Sequence, residues 1–182
     1  MIESRRRAQA GYTLVEVLVA TTIGALVMGA LTSVILTTAL STNVATSRVD
    51  AANQVRSFQL TAHDDMALST VPQPSGCGSA QSSPCTTEAI VLQGSRMSNQ
   101  AAGTASPYAV SYTWDPAHHV IVRHVTGGPS RTVATNVSSF SWYVDSTDGH
   151  PAVVVNLTVT FDSYNNAFSQ SQSLRFYPQV TS

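Results

Sequence analysis

The sequence predicts an α+β chain in which a long N-terminal helix, membrane-spanning in its first half, packs on a C-terminal antiparallel β-sheet domain. Three observations carry this. Residues 12–40 are apolar with Glu16 as their lone charge. Thr42 to Leu68 contains no glycine or proline and sets Ala45, Val49, Ala52, Val55, Ala62 and Met66 mostly three or four apart, the spacing of one helix face. From Tyr108 onward the apolar period changes to two, as on a half-buried strand.

Arg5-Arg6-Arg7 precede the apolar run and no further charge after Glu16 appears until Arg48. A secretory signal, a plain anchor and a cleaved leader ahead of a retained helix all begin in this way. A secretory signal has an apolar region of about 7 to 15 residues cut on its far side, and this run is longer. At 1.5 Å per residue a helix over Tyr12–Leu40 is about 40 Å long, against a hydrocarbon core of about 30 Å. A plain anchor satisfies that length but does not call for Gly11 before the run and Glu16 just inside it. A charge at the centre of a membrane helix costs roughly 2.5 to 3.5 kcal/mol, so Glu16 needs a compensating partner.

The junction Gly11-Tyr12-Thr13-Leu14-Val15-Glu16 resembles the precursors of the type IV pilin and type II secretion pseudopilin superfamily. Their short basic leader ends in glycine, followed by an aromatic residue or methionine and, four residues on, by glutamate. Tyr12 stands where phenylalanine is commonest. The resemblance implies a type IV pilin fold, cleavage by a prepilin peptidase between Gly11 and Tyr12, and methylation of the new amino group of Tyr12. It also implies that Glu16 pairs in assembly with the free amine of a neighbouring subunit, a buried ion pair that fixes register. Implied partners are the peptidase, other major and minor pilin subunits, the inner-membrane assembly platform, and the lipid bilayer before assembly. Basic residues ahead of the apolar run place the N-terminus inside and the remainder outside the cytoplasm. The expected location is thus the cytoplasmic membrane, then a pilus or pseudopilus at the cell surface.

The expected organisation is a leader at 1–11, a membrane or filament-core helix at 12–40, its amphipathic continuation at 41–70, a connecting region at 71–106 and a sheet domain at 107–182. Val71-Pro72-Gln73-Pro74 stops the helix. The connecting region is rich in Ser, Gly, Pro, Gln and Ala, with one strand expected at Ala89–Leu92. Cys77 and Cys85 bracket Gly-Ser-Ala-Gln-Ser-Ser-Pro, a loop that closes readily in an oxidising compartment. A disulfide is the favoured reading; two free thiols or half of a metal site are the alternatives.

Tyr108, Val110, Tyr112 and Trp114 share a strand face, and Asp115-Pro116 turns into a strand over His119–Val125. Gly127-Gly128-Pro129 makes the next turn; Phe140, Trp142 and Val144 alternate; Asp148-Gly149 turns again. Val153 to Phe161 is the clearest strand, and a last one is expected at Ser173–Tyr177. The series Tyr112-Thr-Trp-Asp, Val122-Arg123-His124, Val137 to Tyr143, Pro151 to Leu157 and Leu174-Arg175 resembles the PilW and GspJ group of minor pilins and pseudopilins. That implies a tip-complex subunit that primes filament assembly rather than an abundant shaft subunit. The alternatives are a type II secretion minor pseudopilin and, in another class, a pilus-tip binding module for adhesion or DNA uptake.

Other chemistry is weakly represented. His118, His119, His124 and His150, with Asp145, Asp148 and Gly149, invite a metal reading. His118 and His124 would lie about 20 Å apart on an extended strand, and the aspartates match no calcium loop, so no metal and no cofactor is expected. His63-Asp64-Asp65 suggests a hydrolase triad, but no Gly-x-Ser-x-Gly elbow is present and the segment is expected on the helix exterior; the chain reads as no enzyme. Beyond the leader there are six arginines, no lysine and nine acidic residues, a balance of 6 − 9 = −3. Scattered arginines in an acidic chain do not form a nucleic-acid stripe.

Overall fold

The computed structural model describes residues 12–99, 104–147, 149–163 and 166–178. Gly11, with the rest of the expected leader, and Asp148 lie outside the described residues. Among the described residues one helix, α1 (Leu14–Ala67), precedes seven strands: β1 (Ile90–Asn99), β2 (Thr104–Asp115), β3 (Val120–Val125), β4 (Ser130–Ala134), β5 (Val137–Asp145), β6 (Ala152–Ser163) and β7 (Asn166–Phe176). The chain divides into two compact units, one ending at Asn43 and one spanning Val44–Ser182.

In the first unit the side chains of α1 are exposed throughout. Its threonine hydroxyls along the apolar stretch fold back on the helix. Thr22 donates to the Val19 carbonyl at 2.8 Å, Thr32 to Met28 at 2.8 Å and Thr38 to Val34 at 2.8 Å. A hydroxyl bonded to its own helix presents little unsatisfied polarity to a hydrocarbon solvent.

In the second unit the strands form two sheets, ordered β1-β2-β3-β4 and β5-β6-β7, with antiparallel pairing throughout. The buried seam of α1 is Ala51, Val55, Phe58, Ala62, Asp65 and Met66. Of the expected stripe, Val55, Ala62 and Met66 are buried, whereas Ala45, Val49 and Ala52 face solvent. Phe58 sits where the two sheets meet. Its ring makes edge-on contacts with Tyr112 of the first sheet at 5.7 Å and with Phe140 and Phe176 of the second at 6.2 and 6.5 Å, an arrangement favoured by the ring quadrupoles. Around it Ile90, Leu92, Val110, Ile121, Val153, Val155 and Leu157 close the core.

The helix ends before Pro72 is reached. Ser69 donates to the Met66 carbonyl through both its amide (3.2 Å) and its hydroxyl (3.0 Å), while the Thr70 amide turns to the Gln93 carbonyl of β1 at 2.8 Å. The terminal carbonyl is satisfied by a side chain and the next donor joins the sheet, so the break is made by Ser69 and Thr70. β1 runs well past the expected Ala89–Leu92. β3 begins after His118 and His119, which belong to the turn, and His119 has φ 54°. β7 starts seven residues before Ser173. Its alternating Ser and Gln conceal a period that apolar residues would reveal.

Candidate functional site

Thr13 caps the exposed N-terminal helix. Its carbonyl accepts from the amides of Glu16 (3.0 Å) and Val17 (3.2 Å), and its hydroxyl from the Glu16 amide (3.4 Å). Thr13-Leu14-Val15-Glu16 is a Thr-x-x-Glu box: a hydroxyl at the cap and a carboxylate on the third helical residue, where the partial positive charge of the helix start favours an anion. Tyr12 lies beside the cap with 82% of its surface exposed. The apolar stretch that follows is long enough to cross a membrane, and none of it is buried.

A second feature ties the C-terminal part of α1 to the first sheet. The Asp65 carboxylate accepts Arg123 Nε at 2.6 Å and Nη2 at 2.8 Å, Tyr108 Oη at 2.5 Å, and Tyr112 Oη. Arg123 Nη2 also donates to Tyr108 Oη at 2.8 Å. Burial pushes the Asp65 carboxyl up, but the bonds from Arg123 and the two tyrosines, with the arginine charge, hold it below the usual carboxylate range. Burial and then the Asp65 carboxylate push Tyr108 up to about 12, and raise Tyr112 as well. Arg123 is raised chiefly by its hydrogen bonds to Asp65. Asp65 therefore does not lie on the helix exterior. Residues 58, 62 and 65 recur at helical spacing, and that signal identifies the face despite the charge.

Cys77 and Cys85 are joined, with their Cα atoms 4.9 Å apart. Closing so short a loop stabilises the fold by about 2.5 kcal/mol on the chain-entropy view. The loop is seated on Trp142. Cys85 and Trp142 exchange backbone bonds at 2.8 and 2.9 Å, and the indole Nε1 donates to the Glu88 carbonyl at 2.9 Å. Gly78, at φ 76°, fits where an added Cβ would stand 2.9 Å from Cys85 Sγ. Cys77, Cys85 and Glu88 are close enough to hold an ion, but the two sulfurs are bonded to each other and offer no thiolate.

The histidines are dispersed. His118 Nδ1 lies 2.6 Å from Asp115, His119 Nδ1 is 3.3 Å from the Val137 carbonyl, and His124 Nδ1 is 3.0 Å from Ser130 Oγ. Asp145 accepts the Thr147 amide at 2.9 Å and pairs with Arg175 at 2.9 Å. His63 and Asp64 face solvent while Asp65 points into the core, so the three do not converge.

A family profile described as the prokaryotic N-terminal methylation motif matches residues 6–32. The chain carries a prokaryotic N-terminal methylation motif. It spans Arg6, Gly11, Tyr12, Glu16 and the apolar helix as far as Thr32, and supports the type IV pilin or pseudopilin class, whose members are generally structural. The long apolar helix and antiparallel sheets are consistent with the type IV pilin fold, and the exposed helix with membrane anchoring of a pilin. No curated protein and no solved structure matches the chain. The Thr13 cap starts the helix at the motif itself and places Glu16 on its first turn.

Proposed function

We propose that this chain is a minor type IV pilin, processed after Gly11, stored in the cytoplasmic membrane and incorporated into a pilus or its tip complex, where it primes assembly. The observation that carries the reading is the methylation motif on an apolar helical stretch that is exposed from Leu14 to Asn43, ahead of a unit in which the rest of the helix and the sheets share one core. Exposed side chains such as Leu14, Leu18, Leu26, Met28 and Ile35 need an apolar surrounding, and lipid and a bundle of like helices both supply one. Storage and assembly are then exchanges between two apolar solvents. The minor role is supported by the resemblance of Tyr112–Arg175 to minor subunits.

Glu16 is the proposed register element, its carboxylate meeting the methylated amine of Tyr12 in a neighbouring subunit. Prepilin peptidase, other pilins and the assembly platform are the proposed partners. Intact mass and N-terminal analysis of the protein from membranes of a host with its own prepilin peptidase test the processing step. A chain beginning at N-methylated Tyr12 is expected. An intact Met1 terminus, or one beyond Leu40, overturns the reading.

A further inference from the structure

Two sheets have four edges, and among the described residues three of them are closed. Along β1, Ser69 bridges Gly94 and Thr70 donates to Gln93; along β5, Cys85 and Trp142 exchange backbone bonds. β4 is five residues long, follows Pro129 and breaks register against β3, features that keep an edge from recruiting a strand. β7 pairs with β6 without a register break from Val153↔Phe176 to Ser163↔Asn166. Thr160, opposite Ser169, sends its amide the other way, to the Asn136 carbonyl at 2.8 Å. In an antiparallel ladder such a pair exchanges no backbone bonds. Ser169 therefore turns its own N–H and C=O away from β6, and by the same alternation so do Ser171 and Ser173. Among the described residues no other element takes up these groups.

The ground in front of this edge is cationic. Arg48, Arg56 and His63 are all exposed on the flank of α1 beside β7. Arg48 is seated over the Phe168 ring at 5.6 Å and marks one end of the open stretch. Arg56 and His63, with Val55 and Leu60, line a groove of about 560 Å³ against Gln170 and Gln172. Among the described residues neither Arg56 nor His63 has a carboxylate partner. With 3.6 residues per turn, the neighbouring helix acids stand well round the axis, Asp50 about 120° from Arg56 and Asp64 about 100° from His63. The flank thus has one sign of charge, and no ion pair on it must break before a ligand enters.

These cations exclude some strands and select others. A strand flanked by the same cations, such as β7 of a second copy, meets repulsion, whereas one that carries carboxylates finds partners in Arg56 and His63. An added strand keeps the alternation of the sheet. Its residues opposite Gln170 and Gln172 face the helix flank, where the arginine fork can grip a carboxylate with two donors. Its residues opposite Ser169 and Ser171 face outward. There a hydroxyl row already crosses the sheet, from Thr160 to Ser169 at 2.9 Å and from Thr158 to Ser171 at 3.0 Å, and a further hydroxyl continues it.

We infer that the open edge of β7 receives an extended segment of another protein as an added strand, its inward carboxylates held by Arg56 and His63 and its backbone by Ser169, Ser171 and Ser173. Backbone bonds supply the affinity of such strand addition and alternate side chains its specificity. A segment can run in either direction along β7, so the contact places no demand on how neighbouring subunits are oriented. It needs neither leader cleavage nor methylation.

The test uses the full chain in detergent micelles and a peptide of alternating threonine and glutamate, about nine residues long and capped at both ends. Binding is followed by fluorescence anisotropy and by amide hydrogen exchange at Ser169, Ser171 and Ser173. The peptide is expected to bind, to slow exchange at those three amides, and to outbind a threonine and lysine counterpart at least tenfold. Methylating its backbone nitrogens is expected to abolish binding. Arg56→Glu, at an exposed position, is expected to reverse the preference between the two peptides with an unchanged circular dichroism spectrum. Failure of the glutamate peptide to bind overturns the inference. So does binding that survives backbone methylation, which would reduce the flank to a diffuse cationic surface, or a preference that R56E leaves in place. Protection of the same amides in the protein alone, growing with its concentration, would assign the edge to a second copy and overturns the inference as well.

Discussion

Asp65 on α1 and Arg123 on β3 form a two-pronged ion pair, Nε at 2.6 Å and Nη2 at 2.8 Å, with Tyr108 and Tyr112 donating to the same carboxylate. Four donors on one buried anion leave it fully satisfied, so the desolvation of the carboxylate is offset only while all of them stay in place. The pair spans 58 positions in sequence. It fixes which turn of the helix faces β2 and β3, a register that the surrounding Ala, Val and Met side chains specify less sharply.

Asp65→Asn keeps the shape and removes the charge, stranding Arg123. Losing one partner of a buried pair costs roughly 3 to 5 kcal/mol. The lower end is expected because Arg123 keeps 20% of its side chain in solvent. Tyr108→Phe, which removes one donor, is expected to cost about 1 kcal/mol. Urea unfolding followed by tryptophan fluorescence checks the order; equal stability of D65N and wild type would show that the pair contributes nothing net.

The same site sets two opposite pH dependences. The folded Asp65 carboxyl titrates below its ordinary value, so its stabilisation is complete above the unfolded carboxylate pKa of about 3.9 and is lost as pH falls through the folded value. For Tyr108 the folded value rises from 10.0 to about 12. Its contribution is complete below pH 10 and disappears as pH climbs towards 12. In an alkaline titration the tyrosinate absorbance of Tyr108 and Tyr112 is expected to lag and then to appear together with unfolding. Early, complete ionisation with the fold intact would contradict the geometry.

Much of the chain could be read directly. The apolar run with Glu16 near its beginning marks the first part of α1, and Val153, Val155 and Leu157 mark β6 because their period matches the burial that shapes them. Of β7 only the end from Ser173 is legible, because before it Ser and Gln alternate with each other and give no apolar period. Phe58 and Asp65 fall outside the expected stripe, which shares Val55, Ala62 and Met66 with the seam but takes Ala52 for the buried Ala51; a carboxylate on a helix reads as solvent-facing until its distant partners are known. The partners of Asp65 lie 43 to 58 residues away, and no local pattern links them. The division of the strands into two sheets depends equally on contacts that sequence spacing does not encode.

Gly94 is the glycine whose replacement is expected to do the most damage. A Cβ there would stand 2.0 Å from the Leu68 carbonyl oxygen and 3.0 Å from Ser69 Cα. Both are backbone atoms at the point where the chain leaves α1 and bridges to β1, so neither can rotate away. Gly94→Ala is expected to exceed the usual 1 to 3 kcal/mol of overpacking. Gly127→Ala meets no atom within 4 Å and strains only its φ of 80°, for about 1 kcal/mol. Comparative thermal unfolding of the two variants separates steric from conformational effects, and a G94A no worse than G127A would mean that β1 is not held against the end of the helix.

Glu16 offers the sharpest separation of processing from assembly. It lies on the first turn of a helix capped by Thr13, with its side chain exposed, so substitution leaves the described contacts of the sheet unit untouched. Ala removes the carboxylate; Gln retains its size and hydrogen bonding but not its charge. If Glu16 acts by pairing with a neighbouring amine in an apolar surrounding, charge is the property that matters, because an unpaired ammonium there is as costly as an unpaired carboxylate. Glu16→Ala and Glu16→Gln are then both expected to be cleaved normally yet to remain in the membrane fraction, at least tenfold depleted from sheared filaments. Quantitative immunoblots of the two fractions provide the measurement. Incorporation of the Gln variant at wild-type levels would reduce the role of Glu16 to hydrogen bonding, and incorporation of the Ala variant would remove it from the assembly mechanism altogether.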